Sequence, residues 1–168
     1  MILRPAPIAR HFRRDRMLYL LALLIGVVAG LRAMTAPAAV AWAAYLGWID
    51  LSAGPLAFMG YAWTPWIFTV LAVVELITDQ LPSTPSRTVP VQFGTRIVSG
   101  ALCGACLGVV GGNLVVGAIL GAIGAVIGTL GGRSVRGSLA ASFGKDPPAA
   151  IIEDAVAVIG ALLIVLVP

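Results

Sequence analysis

The chain has 168 residues, 60% hydrophobic and 11% charged, with 11 Lys and Arg against 7 Asp and Glu and a net charge of +4. Soluble domains carry roughly 25% charged residues, so this chain has too few to cover a water-facing surface, and lipid is its expected solvent. The pattern also excludes a disulfide scaffold, because the only two cysteines lie in an apolar run, and a nucleic-acid-binding domain, because no aromatic-basic platform accompanies the arginines.

Residues 1–16 form a basic, amphipathic lead-in with Arg4, Arg10, Arg13, Arg14 and Arg16 beside His11 and Phe12. It is expected to lie at the interface, against anionic headgroups on the cytoplasmic side. Together with "MLYLLALLIGVVAGL" it has the shape of a signal peptide. However, Arg32 falls where a cleavage region is normally uncharged, and the rest of the chain is equally apolar. The expectation is an uncleaved first crossing. The apolar block from Met17 to Trp48 is too long for one straight crossing of a ~30 Å core, and "GLRAMTAP" interrupts it. It reads as one broken or strongly tilted helix with a joint near Arg32–Pro37. A crossing followed by a re-entrant piece is the alternative.

Residues 50–64 are an external connection, with Tyr61, Trp63 and Trp66 as interfacial aromatics. A second crossing spans 65–81. The polar loop "PSTPSRTVPVQFGTR" follows, its prolines forbidding a continuous helix. A third crossing covers 95–111. The fourth begins at Leu114 and runs long, to about Gly144, with an interruption at "GGRSVRG". The fifth covers 149–167. With the N-terminus inside, the inner side holds the five N-terminal arginines, Arg87, Arg96 and Lys145, while loops 50–64 and 111–113 hold no Lys or Arg. The positive-inside rule therefore places the N-terminus in the cytoplasm and the C-terminus outside.

The expected fold is an all-α polytopic membrane bundle of about five crossings, two of them broken, in one domain over 17–168. "GLRAMTAPAA" from Gly30 can be laid over "GGRSVRGSLA" from Gly131, placing Arg32 on Arg133. Each is followed by an acid-bearing crossing. Repeats 17–92 and 114–168, linked by the crossing 95–111, would form an inverted repeat of the kind found in secondary transporters.

Charge inside a membrane is costly, and it normally faces the bundle interior or a wet cavity. Irregular backbone at that depth obeys the same condition. Both features point to one polar site at the interruptions. Its expected substrate-binding residues are Arg32, Thr35, Arg133, Arg136 and Ser138, since a helix N-terminus beside an arginine suits an anion. Its expected proton- or ion-coupling residues are Glu75, Asp79, Glu153 and Asp154. Glu75 and Asp79 share a helix face. Glu153 and Asp154 face different ways, so one of them is expected to meet the arginines. The loop residues Ser83, Thr84, Ser86 and Arg87 are candidates for contact with a phosphate or headgroup.

Glycines recur at 100, 104, 108 and 112, and again at 117, 121, 124, 128 and 132. Such stripes let helix backbones approach closely, either within the chain or in a homodimer. Cys103 and Cys106 read as small packing residues. No metal-ligand cluster or cofactor-binding loop is visible, so neither a metal nor a cofactor is expected.

The combination of "GLRAMTAP", "ELITDQLPSTPSRT" and "GGRSVRGSLAAS…DP…IIEDAVA" resembles a family of small bacterial multi-pass membrane proteins catalogued as a domain of unknown function. The resemblance covers most of residues 20–165. It implies a bacterial inner-membrane location and supplies no activity. From the residues, the leading expectation is a small transporter or permease of unknown substrate, anionic or proton-coupled. The alternative is a non-catalytic membrane scaffold or lipid-binding assembly subunit. An intramembrane enzyme acting on a lipid headgroup ranks last, for want of a nucleophile–base pair.

Overall fold

The structure, a computed structural model, describes residues 7–79 and 88–167, with side chains from residue 16 onward. The described residues form six α-helices and one 3₁₀ turn. These are α1 (Pro7–Leu31), α2 (Thr35–Tyr45), the 3₁₀ turn (Ala57–Gly60), α3 (Thr64–Thr78), α4 (Pro90–Val110), α5 (Leu114–Phe143) and α6 (Asp146–Val165). Three of them, α4, α5 and α6, are long and apolar enough to cross a membrane, while the apolar part of α1 (Arg16–Leu31) and α3 are shorter.

The packing is inside-out relative to a soluble domain. Large aliphatics face outward, such as Val115, Ile119, Ile123 and Ile127 on α5 and Ile159 and Leu163 on α6. The faces where α5 meets α1 and α4 are lined with Gly, Ala and small polar residues, beside a core that also holds Leu18, Ile25 and Leu107. In lipid the outward aliphatics cost nothing, so close backbone approach and dispersion must hold the helices together. The glycines provide that approach. A Cβ on Gly104 would lie 2.3 Å from the carbonyl of Gly117, one on Gly26 2.1 Å from that of Gly121, and one on Gly128 2.1 Å from that of Val27. Thus α5 presents one glycine edge to α4 and another to α1, and both stripes are used within the chain.

These contacts fix directions. Gly100 meets Gly121 and Gly108 meets Gly117, so α4 and α5 are antiparallel. Gly26 meets Gly121 and Gly30 meets Ala125 and Thr129, so α1 and α5 run parallel. Tyr19 Oη donates to the Gly111 carbonyl at 2.9 Å, while Arg96 reaches Gly30 at the other end of α1. The bundle therefore has a Tyr19–Gly111 end and an Arg32–Arg96 end.

After Arg32 the chain turns back. Ala33 and Met34 bond to Glu75, whereas Trp42 donates to Thr69 at 3.0 Å, so α2 runs antiparallel to α3. Val40, Ala41 and Ala43 share one core with Leu18, Ala22 and Ile25 of α1, Cys103, Cys106 and Leu107 of α4, and Ala161, Ile164 and Val165 of α6. The first block is therefore a helix followed by a short returning piece, not a tilted rod.

Three expectations change. First, α5 runs without interruption through "GGRSVRG". Residues 131–137 contain no proline, and glycine weakens a helix without removing a backbone donor, whereas Pro37 removes one at the first joint. Second, α1 and α5 are parallel and only α1 is interrupted, so the proposed copies are not related by inversion; the fold-back at Arg32 adds a segment and changes the parity. Third, the basic lead-in is continuous with α1 from Pro7 and extends past the Tyr19–Gly111 end. It lies opposite Arg96 and Lys145 rather than beside them.

Candidate functional site

The break at Arg32–Met34 frees backbone groups that a continuous helix would pair, and other helices supply partners for them. Pro37 has no N–H to give Ala33, and Ser99 Oγ of α4 donates to the Ala33 carbonyl instead. The N–H groups of Ala33 and Met34 point at Glu75, whose two oxygens accept them at 2.7 and 2.8 Å. Glu75 is thus an N-cap supplied from α3, and an anion at this position also suits the helix dipole. The carbonyls of Gly30 and Leu31 accept from Arg96 Nη1 at 2.9 and 2.6 Å, and Gly30 also accepts from Thr129 Oγ1 at 3.2 Å.

Around this collar sits an ion-pair knot. The Arg32 guanidinium is fully buried. Its Nη1 meets Asp79 Oδ2, and its Nε donates to Asp154 Oδ1 at 2.6 Å. Arg96 is 1% exposed, and its Nη2 lies 3.6 Å from both Glu75 and Asp79. Two guanidiniums face three carboxylates, so the knot carries a net negative charge when all are ionised. The side chains of Glu75, Asp79 and Asp154 retain 12%, 14% and 15% exposure while the arginines have almost none. The reachable rim is acidic. Arg32 offers no open face to an anion in this state.

A second cluster lies alongside. Arg136 donates to Asp146 at 3.0 and 2.5 Å and to Glu153 at 3.4 Å. Adjacent residues of α6 therefore serve different arginines: Asp154 meets Arg32 and Glu153 meets Arg136. Both acids are engaged, where one was expected to be. Arg133 stays outside the knot and donates to Thr88 at 3.2 Å on the exposed surface. Ser138 is exposed and bonds back to the Ser134 carbonyl. Thr35 is buried at the start of α2, its hydroxyl without a partner among the described residues. Ser83, Thr84, Ser86 and Arg87 lie outside the described residues.

The family model for a domain of unknown function (DUF4126) matches residues 19–168. The chain belongs to this family. No curated protein and no solved structure matches it. The family brings no activity, the membrane-like character rests on the apolar helices, and function must be argued from the knot. Sequence reasoning missed three of its members, Arg96, Ser99 and Thr129. Arg96 had been counted only as a topology charge, although Ser99 follows three residues later on the same helical face, next to Gly100. That pairing of polar groups inside an apolar helix was the available signal.

Proposed function

We propose that this protein is a small membrane transporter whose moving part is the Arg32 knot, worked by protonation of its carboxylates. One observation carries the reading. Arg32, fully buried, is held by carboxylates that follow α3 and lie on α6, and α3, which packs on α2 through Trp42, Trp66 and Thr69, is joined to α1 at its other end by these acids. The packing partners of α3 are α2 and the 3₁₀ turn, and only Pro65 and Ala72 are buried along it. Its remaining links to α1 and α4 run through Glu75 and Asp79.

Protonating Asp79 would weaken its attraction for Arg32 and Arg96, and protonating Glu75 would weaken the bonds it accepts from the amides of Ala33 and Met34. α3 could then swing away and open Arg32 to an anionic substrate, which would replace the lost carboxylate. Both oxygens of Glu75 already accept N–H bonds, which leaves too few free oxygens for a metal ion. The test is flux in proteoliposomes carrying an internal pH dye. Proton entry coupled to one of a panel of small organic and inorganic anions, lost in Asp79→Asn and Asp154→Asn, is expected. Vesicles that stay tight to protons and to every anion across pH 5 to 8 would refute it.

The second reading is a scaffold, favoured by the same collar. Every freed backbone group described above is satisfied, and glycine contacts lock α1, α4 and α5 together. In a scaffold the knot would only fix register.

A further inference from the structure

At the Tyr19–Gly111 end, the connection between α2 and α3 encloses a cavity of about 570 Å³, within the range of small-molecule sites. Asp50, Ser52, Tyr61 and Gly60 line it, with apolar walls from Ala44 and Ile49. The connection is shaped by Gly47, which adopts a left-handed φ of 76°, and is anchored by Ile49, Leu51 and Met59, all buried.

Asp50 is the sole charged residue between positions 46 and 63. Its Oδ1 accepts from the Ser52 N–H at 3.0 Å and the Ser52 hydroxyl at 2.6 Å. Those bonds hold its carboxyl below the usual range and leave Oδ2 without a partner among the described residues. Tyr61, 62% exposed, lines the same cavity. One free carboxylate oxygen is too few for calcium or magnesium, which take six or more oxygens. An aromatic face, a single anion and apolar walls instead suit a large, weakly hydrated cation. Trp48 and Trp63, both exposed, flank the connection as residues of an interfacial belt do, which puts the cavity at headgroup depth.

We infer that the Asp50–Tyr61 cavity is a binding site for an organic ammonium group. The Asp50 carboxylate neutralises the cation, the Tyr61 ring covers it, and Ala44 and Ile49 receive its methyl or methylene groups. The ammonium can come from a zwitterionic lipid or from a free amine. The site is independent of the knot and stands or falls separately from the transport reading.

The test uses the full chain in uncharged maltoside micelles. Choline or ethanolamine is titrated against sodium chloride at equal ionic strength, and tryptophan and tyrosine fluorescence is followed. A saturable change specific to the amines is expected, weakened about fivefold or more in Asp50→Asn and in Tyr61→Leu and retained in Asp50→Glu. Asp50 is exposed, so all Asp50 variants should keep the wild-type unfolding midpoint. Native mass spectrometry then separates the sources. Retention of phosphatidylcholine or phosphatidylethanolamine over phosphatidylglycerol, lost in Asp50→Asn, assigns the lipid. Amine binding without lipid retention assigns the free solute. An equal response to sodium chloride, or undiminished amine binding by Asp50→Asn, overturns the inference.

Discussion

Replacing Glu75 with alanine removes both acceptors from the amides of Ala33 and Met34, which it now holds at 2.7 and 2.8 Å. A buried amide left unpaired costs about 1–3 kcal/mol. Two of them, less the desolvation recovered by deleting a carboxylate, give a loss of about 3 kcal/mol. Arg96 also loses one of its acidic neighbours. Glutamine keeps one acceptor but turns an amide nitrogen toward the other N–H, so Glu75→Gln should fall between wild type and Glu75→Ala, at about 1–2 kcal/mol. Two measurements check this. Unfolding in mixed micelles titrated with dodecyl sulfate gives the order of stability. Hydrogen exchange in a peptide spanning residues 33–36 reports the cap directly and should accelerate at the first two amides in Glu75→Ala. If Glu75→Ala unfolds at the wild-type midpoint with those amides still protected, the cap supplied from α3 does not hold the break, and the reasoning built on it fails.

The donor substitution at the break can be tested as a cycle. Ser99→Ala should cost about 1–3 kcal/mol, and Pro37→Ala, which restores an N–H that a continuous helix would direct at Ala33, should recover about 1 kcal/mol of it; strict additivity in the same titration would argue against the exchange of donors. Gly121→Ala places a Cβ 2.1 Å from the Gly100 carbonyl and should destabilise by about 1–3 kcal/mol. Gly131→Ala, which meets nothing within 4 Å, should be neutral or stabilise by up to about 1 kcal/mol. Arg32→Ala should cost about 3–5 kcal/mol by removing the buried guanidinium that Asp79 and Asp154 share, while Arg133→Ala should stay within about 0.5 kcal/mol. Equal losses for the two arginines would remove the distinction between them.

Much of this was legible in the sequence. Arg32 and Pro37 in one apolar run announced a polar joint, because a buried charge and a missing donor both demand partners; of the four acids named, Asp79 and Asp154 meet Arg32, Glu75 caps the break and Glu153 meets Arg136. The glycine spacing correctly announced close helix contacts. What could not be read was direction. A three-residue break bends or reverses a chain according to what waits on the far side, and here that is Glu75, more than 40 positions away. The same blindness made "GGRSVRG" resemble "GLRAMTAP": arginine and small residues occur in both, but only the first has a proline, and only there do other helices supply the replacement bonds. Arg96 was hidden because an arginine one turn into a crossing also serves as a topology signal. Its role depends on the carbonyls of Gly30 and Leu31, which the break alone makes available.

The two ways of holding helices in this bundle have different consequences. α1, α4 and α5 meet through backbone contacts at glycine, and nothing in those contacts titrates. Their arrangement should be indifferent to pH and salt. α3 buries little beyond Pro65 and Ala72, and its outward residues Val70, Val74 and Ile77 gain nothing by moving toward protein, since lipid solvates them equally well. Its docking onto α1 and α4 must therefore come mainly from Glu75 and Asp79, whose strength depends on their ionisation. The start of α3 is held to α2 by Trp42, Trp66 and Thr69 and its far end by titratable groups, so protons could move that far end without loosening the rest. That asymmetry favours a gate over a scaffold. In a scaffold, α3 could have been fixed more cheaply by extending the glycine pattern to it, and α3 contains no glycine.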